Sequence, residues 1–302
     1  MGVFPIFEKT ESFSMVNNKL IFDIGFHKGE DLQYYLHLGY QVVGVDADPR
    51  MVEQAKQTFS EKYAAGQLKV FNYAISETDN ADIDFNVSEW TLWNSLKKEI
   101  AGRDNKGMQT IKVKTHRLDT LMQENGVPYY CKIDIEGYDA LAVSTLARSD
   151  FRPVFMSVES ECIGDKEVIS DEKALETLVN LHALGYNRFK LVDQKTLEVL
   201  TDAPFYGVKK QPPPPPKRSF MDKLLGRTPA APPVVNHFDA MRKKHSFNFP
   251  NSSTGPFGDQ LEGEWADFET AKKRLLFHRR MYFAQQGVPN YSFWCDWHAT
   301  KA

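Results

Sequence analysis

Two short apolar runs, residues 20–24 and 42–45, flank a stretch (31–38) whose apolar positions recur at helical spacing. The first run passes through Asp23 into a turn carrying Gly25 and Gly29, and the second ends on Asp46. The pattern predicts strand, glycine turn, helix, strand and terminal acid, the front half of a nucleotide-binding βαβ unit. Further along, residues 51–63 read as a helix entered through Pro49 and closed by Gly66, and 68–75 as a third strand. Residues 81–87 and 110–115 alternate as strands around an insertion holding Trp90 and Trp93, a candidate lid, and 117–126 read as a short helix stopped by glycine. A strand is expected over 128–137 and another over 153–161, then a helix over 171–184 and a strand over 187–192. After a linker, a helix over 265–283 and a last strand over 291–298 complete the same sheet, with a turn-rich loop (251–258) before them.

One segment breaks the pattern. Residues 209–233 hold Pro212 to Pro216, Lys–Lys and Lys–Arg pairs and a second proline cluster, which predicts a stiff, basic, extended insertion. A short helix over 220–225 interrupts it, and the segment is a candidate site for a protein partner. The expected organisation is one domain over 1–302. Its core sheet and helices span 18–200, the insertion 209–233, and residues 234–302 complete the sheet and the acceptor side.

Composition narrows the class. A formal net charge of −3 in 302 residues gives no basic footprint for nucleic acid. Cys131, Cys162 and Cys295 share no metal-ligand spacing and read as reduced thiols of a cytoplasmic protein. The N-terminus has no secretory pattern, and Ile6 stands where a myristoylation signal wants Ser or Thr. No apolar run approaches the ~20 residues of a membrane helix.

The glycine spacing bears on the cofactor. A dinucleotide site wants Gly-x-Gly-x-x-Gly, to seat a pyrophosphate on a helix N-terminus. Here the pattern is Asp-x-Gly-x-x-x-Gly, with carboxylates at Asp23, Glu30 and Asp31. Carboxylates repel a pyrophosphate but suit a ligand carrying an ammonium and a sulfonium, as S-adenosylmethionine does. Asp46 falls where such folds place a carboxylate on the ribose hydroxyls. Asn72 or Ala74 would border the adenine, although Asn72 also reads as a turn residue at a strand end. Alternation over 128–137 puts Lys132, Asp134 and Glu136 on one strand face, a costly arrangement in an inner strand unless its carboxyl end opens on a site. The next strand ends on Glu159 and Glu161, so four carboxylates crowd one crevice and need Lys132, Lys28 or a divalent cation as counter-charge.

With these stretches assembled, the chain resembles the FkbM family of S-adenosylmethionine-dependent methyltransferases. The matching residues are Asp23-Ile-Gly-Phe-His-Lys-Gly29, Val45-Asp46-Ala-Asp-Pro49, Asn72-Tyr-Ala74, Leu118-Asp119 and, most specifically, Lys132-Ile-Asp-Ile-Glu-Gly137 with Glu159 following. Phe26-His27-Lys28 departs from the small residues usual after the first glycine. The resemblance implies a class I, Rossmann-like, doubly wound α/β fold with a mostly parallel seven-stranded sheet. It also implies O-methylation of a hydroxyl on a sugar, glycan or small natural product.

Methyl transfer to an alcohol needs in-line alignment and a base or cation at the oxygen. Asp134 and Glu136, with Lys132 holding them ionised, are the expected catalytic group, and His27 is a second candidate base. Asp23, Gly25, Gly29, Asp46, Asn72 and Ala74 are expected at the cofactor. Asp134, Glu136, Glu159 and Glu161 are possible ligands for Mg²⁺ or Ca²⁺. Two other readings stay open: a catalytically silent fold serving as a scaffold, and a nucleotide-binding oxidoreductase, which the glycine spacing disfavours. Replacing residues 209–233 by a short Gly/Ser linker is expected to leave the melting temperature nearly unchanged. A collapse of thermal stability would show instead that the segment packs on the core.

Overall fold

The computed structural model describes residues 16–88, 108–160, 169–204, 237–250, 253–284 and 294–301. The Trp90/Trp93 insertion, Glu161, Cys162, the proline-rich segment with its 220–225 helix, and residues 291–293 of the expected last strand lie outside the described residues.

The opening pattern folds as β1 (Asn17–Ile24), α1 (Glu30–His37) and β2 (Gln41–Asp46). Then follow α2 (Pro49–Thr58), α3 (Ser60–Ala64), β3 (Leu68–Asn72), β4 (Ala74–Ile75), β5 (Asp82–Ser88), β6 (Met108–His116) and α4 (Leu118–Asn125). The remainder comprises β7 (Pro128–Ile133), α5 (Asp139–Thr145), β8 (Phe155–Ser160), α6 (Asp171–Ala174), α7 (Glu176–Ala183), β9 (Arg188–Asp193) and β10 (Glu198–Val199). After the linker come α8 (His237–His245), α9 (Phe268–Ala284) and β11 (Cys295–Thr300).

The main sheet runs β10-β9-β11-β8-β7-β1-β2-β3. β3, β2, β1, β7 and β8 pair in parallel, while β11 inserts antiparallel between β8 and β9. Eight strands stand where seven are expected, because the two-residue β10 folds back on β9 as a hairpin edge. A second sheet, β4-β6-β5, forms beside it.

Alternation along the strands sorts side chains to two faces. Phe22, Ile24, Cys131, Ile133, Met156, Val158 and Trp297 meet Leu121, Val143, Leu178 and Leu275 of α4, α5, α7 and α9 in one buried cluster. On the other face Ile21, Val42, Val70 and Tyr130 pack against Leu32, Tyr35 and Val52 of α1 and α2. Phe257, from the loop before α9, joins this second cluster and stacks on Tyr130 with ring centroids 4.1 Å apart.

Five boundaries differ from the sequence pattern. The strand expected over 68–75 splits, because Asn72 turns to donate its side-chain amide to the carbonyls of Asp46 and Ala47, and Ala74 starts β4 in the other sheet. The helix expected over 51–63 breaks at Phe59, and that over 171–184 at Leu175. The helix expected from Trp265 starts at Phe268, since Trp265 stacks on Phe155 and lies under the Lys190 ammonium. Most consequential, β7 stops at Ile133, and residues 134–138 turn with Glu136 at φ 52° and Gly137 at φ 94°. Among the described residues no helix is long and apolar enough to cross a membrane.

Candidate active site

The turn after β1 is shaped by contact with the turn after β7. Gly25 has φ 81°, and a Cβ there would lie 1.8 Å from the carbonyl oxygen of Asp134. Gly29, at φ 85°, abuts the Phe59 ring, which a Cβ would approach to 2.7 Å. Both glycines are therefore required first by close packing of the chain on itself. Between them His27 has φ 50°, donates its backbone N–H to Asp46 Oδ2 at 2.9 Å and sets its ring Nδ1 3.1 Å from Glu30 Oε1. Asp46 takes a second backbone N–H, from Asp48, at 2.8 Å. Burial nevertheless pushes its carboxyl up to about 6. Burial would also raise Glu30, but the His27 ring outweighs it and holds the carboxyl below its ordinary value.

Beneath this turn a single ammonium serves several acids. Lys132 Nζ lies 3.4 Å from Asp23 Oδ1, 3.4 Å from Asp31 Oδ2 and 3.8 Å from Asp134 Oδ2. Lys132, Asp23 and Asp31 are all buried. Burial disfavours the charge on Lys132, yet its carboxylate neighbours outweigh that penalty and hold its pKa above the ordinary lysine range. Asp23 gains less: its oxygens have no hydrogen-bond partner, and burial pushes it up to about 7 against the pull of Lys132. Asp31 is tied elsewhere too, accepting from Ser253 Oγ at 2.5 Å and from the Thr254 N–H at 3.1 Å. The 253–258 loop is thereby fastened over this face of the sheet.

At the carboxyl edge, Asp139 at the start of α5 accepts the N–H groups of Ile135 (2.9 Å) and Gly137 (3.0 Å), holding the turn that presents Asp134 and Glu136. These two side chains and Glu159 can each bring a carboxylate oxygen within 4.8 Å of the others. Glu159 is buried, and accepts the indole N–H of Trp294 at 2.5 Å. Burial, then the charges of Glu136 and Asp134, push its carboxyl well above the ordinary range. Asp296 lies opposite Glu159 in the β8–β11 register. Its Oδ1 accepts from Gln194 Nε2 at 2.7 Å, its Oδ2 has no hydrogen-bond partner, and burial with the Asp134 charge raises it to about 8.

The carboxyl edge thus brings together Asp134, Glu136 and Glu159, next to the turn that holds Gly25, His27 and Asp46. The common strand face expected for Lys132, Asp134 and Glu136 is corrected. Lys132 lies within β7, whereas Asp134 and Glu136 project from a turn with left-handed backbone at Glu136. Asp23 sits fully buried beneath Lys132, Asn72 spends its amide nitrogen on the backbone, and Ala74 packs in the small cluster with Phe85 and Val113. Glu161 lies outside the described residues. Asp31, Asp139, Trp294 and Asp296 are parts of the arrangement that sequence reasoning did not assign. A signal existed for Asp139 and Asp296, each an acid in a stretch that folds as buried structure.

The methyltransferase FkbM domain model matches residues 23–187, over half of the chain. The chain belongs to the FkbM methyltransferase family. The FkbM match spans both the glycine turn and the Lys132–Gly137 stretch. Similar solved structures include a SAM-dependent methyltransferase from Geobacter sulfurreducens in complex with S-adenosyl-L-homocysteine, at 14% identity and a TM-score of 0.34, covering 95% of this chain and 84% of that one. Another is a SAM-dependent methyltransferase from Thiobacillus denitrificans, also with S-adenosyl-L-homocysteine, at 15% identity and a TM-score of 0.33, covering 95% and 85%. No curated protein sequence matches the chain.

Replacing Lys132 by Met strands Asp23 and Asp31 without their counter-ion and is expected to cost about 3–5 kcal/mol in denaturant unfolding. Asp23, whose carboxyl burial already raises to about 7, then also loses the pull of Lys132, so its folded pKa stands above its unfolded one. Stability is therefore retained at low pH and lost as pH rises through the folded value, so the deficit should be smaller at pH 5 than at pH 8. A deficit independent of pH would mean that Lys132 acts through packing alone.

Proposed function

We propose that the chain is an S-adenosylmethionine-dependent O-methyltransferase acting on a hydroxyl of a sugar, glycan or small natural product. The observation that carries the proposal is the convergence of Asp134, Glu136 and Glu159 at the carboxyl edge of the sheet, beside the turn containing Gly25 and His27 and the Asp46 carboxylate that this turn bonds. The donor set fits the cofactor: Asp46 offers carboxylate oxygens suited to ribose hydroxyls, and Asp134 and Glu136 offer negative charge suited to a sulfonium. S-adenosylmethionine supplies a methyl group on that sulfonium. Burial raises the Asp134 carboxyl above its ordinary value, which suits a base, while Lys132 nearby pulls the other way. Asp134 or Glu136 takes the proton that the acceptor hydroxyl loses as its oxygen forms the new bond to carbon, and the carbon–sulfur bond breaks. Glu159, buried and accepting the Trp294 indole N–H, borders the two candidate bases. His27 faces Glu30 and Asp46, on the cofactor side of the turn, and we assign it to positioning there.

A second reading gives the three carboxylates a divalent cation, Mg²⁺ or Ca²⁺, that orients the acceptor oxygen and lowers its pKa. The family match sets aside the nucleotide-binding oxidoreductase. A silent scaffold is distinguished by turnover. The free, buried Cys131 suits a reducing, cytoplasmic setting.

Calorimetry with S-adenosylhomocysteine tests the cofactor half. Asp46→Ala should lose about 1.5–3 kcal/mol of affinity, the scale of hydrogen bonds to a charged group. Because the ligand favours ionised Asp46, affinity of the parent protein should rise with pH up to about 6 and then level off. Unchanged affinity in the variant would remove the ribose assignment.

Asp134→Asn and Glu136→Gln keep shape while removing charge. On an identified acceptor each should lower turnover by about 10²-fold or more, with affinity for S-adenosylhomocysteine, which lacks the sulfonium charge, largely kept. Activity abolished by a chelator and restored by Mg²⁺ or Ca²⁺ assigns the cation; indifference to chelator assigns a direct carboxylate base. Near-parental turnover in both variants would make these acids structural.

A further inference from the structure

Three large apolar side chains are markedly exposed among the described residues: Tyr63 on α3, Val179 on α7, and Trp294 immediately before β11. Trp294 is the one tied to the acid cluster. The residue is 43% exposed, yet its Nε1–H donates to the buried Glu159 carboxyl at 2.5 Å. Its backbone is fixed as well, since its carbonyl accepts the Gln194 N–H at 2.8 Å, and the Gln194 side chain in turn holds Asp296. The indole is thus an exposed aromatic surface held in one orientation from both its ring edge and its main chain.

That arrangement has a chemical consequence. An indole N–H lies in the ring plane, so a bond from it to Glu159 points the ring edge at the acids. The two ring faces stand perpendicular to that bond. A molecule lying on an exposed face would have its own edge beside Glu159, Glu136 and Asp134. Water-exposed indole surface is costly to leave uncovered, and aromatic faces attract weakly polarised C–H groups as well as other rings. A platform that is already rigid loses little conformational freedom when it is covered. Carboxylates beside it accept hydrogen bonds from hydroxyls. The ligand that satisfies both halves has a ring with an apolar C–H face and hydroxyls around its rim.

We propose that Trp294 is the acceptor platform, and that it selects cyclic, ring-hydroxylated acceptors with a C–H face over open-chain polyols and flat aromatic alcohols. This rests on the O-methyltransferase reading above and adds to it a specificity-determining residue. Trp294 orients the acceptor by stacking and takes no proton in the reaction.

The test uses the full chain saturated with S-adenosylhomocysteine. Methyl pyranosides of gluco, galacto, manno and 6-deoxy configuration are titrated by calorimetry and by tryptophan fluorescence. Sorbitol supplies hydroxyls without a ring face, and catechol a flat ring without the polyol rim. At least one pyranoside should bind, more tightly than sorbitol or catechol. Its affinity should fall about tenfold in Trp294→Ala and less in Trp294→Phe, which keeps a ring to stack on, the scale expected of one aromatic contact. Where Trp294→Ala melts early, protection of Trp294 from N-bromosuccinimide by the bound pyranoside in the parent protein gives the same reading. The proposal is overturned by parental pyranoside affinity in Trp294→Ala, by catechol or sorbitol binding best, or by no pyranoside binding at all. S-adenosylhomocysteine affinity is measured first on each protein. Its absence in the parent overturns the methyltransferase reading itself, whereas its presence with unchanged pyranoside binding overturns the platform alone.

Discussion

One buried ammonium has to balance the acids around it, and the site is arranged to suit that. Lys132 lies within ion-pair distance of carboxylates from β1, α1 and the turn after β7. A buried charge without a partner costs several kcal/mol, so these segments are obliged to meet at one point. The meeting is not neutral: three carboxylates share one cation, and Asp23 is left with a raised pKa. A cationic ligand nearby would relieve the excess, which is the electrostatic reason a sulfonium suits this end of the sheet better than a pyrophosphate does.

The same constraint reaches the C-terminal part of the chain. Asp31 uses its remaining hydrogen-bonding capacity on Ser253 and Thr254, and Gly255 donates to the Ser253 hydroxyl. Phe257 then stacks on Tyr130, which sits two residues before Lys132 on the same strand. The loop is therefore bonded to the ion cluster at one end and packed on the apolar layer at the other. Across the sheet edge, Trp294 and Asp296 join Glu159 from β11. Both the 253–258 loop and the Trp294 and Asp296 contacts come from residues beyond the family match, which ends at 187.

Local pattern made the fold legible where each element carries its own signal. The glycine turn, the acid after β2, and the apolar strands read directly, because strand and helix periods show within a few residues. The end of β7 did not, since alternation in Lys132-Ile-Asp-Ile-Glu continues past the point where the backbone leaves the sheet. Asp139 bends that segment by capturing two N–H groups, a tertiary choice that periodicity does not register. Ala74 was misplaced for a similar reason: Tyr73 carries the chain from one sheet into another without any break in apolar character. The Asp31–Ser253 contact joins positions 222 residues apart, and nothing local announces it. Trp294 was visible as a residue in an aromatic stretch, but its exposure depends on the strand order.

That strand order bears on how the chain must assemble. β11 is last in sequence yet lies between β8 and β9, bonded to both. β8 and β9 never touch as partners, so each presents an open edge until β11 arrives. Open edges are templates for pairing with the wrong strand, in this molecule or another. Loop closure over such a sequence separation is slow. The half of the sheet bearing Glu159 is thus closed only by the last strand of the chain, and the Trp294 and Asp296 contacts of the acid cluster depend on that pairing.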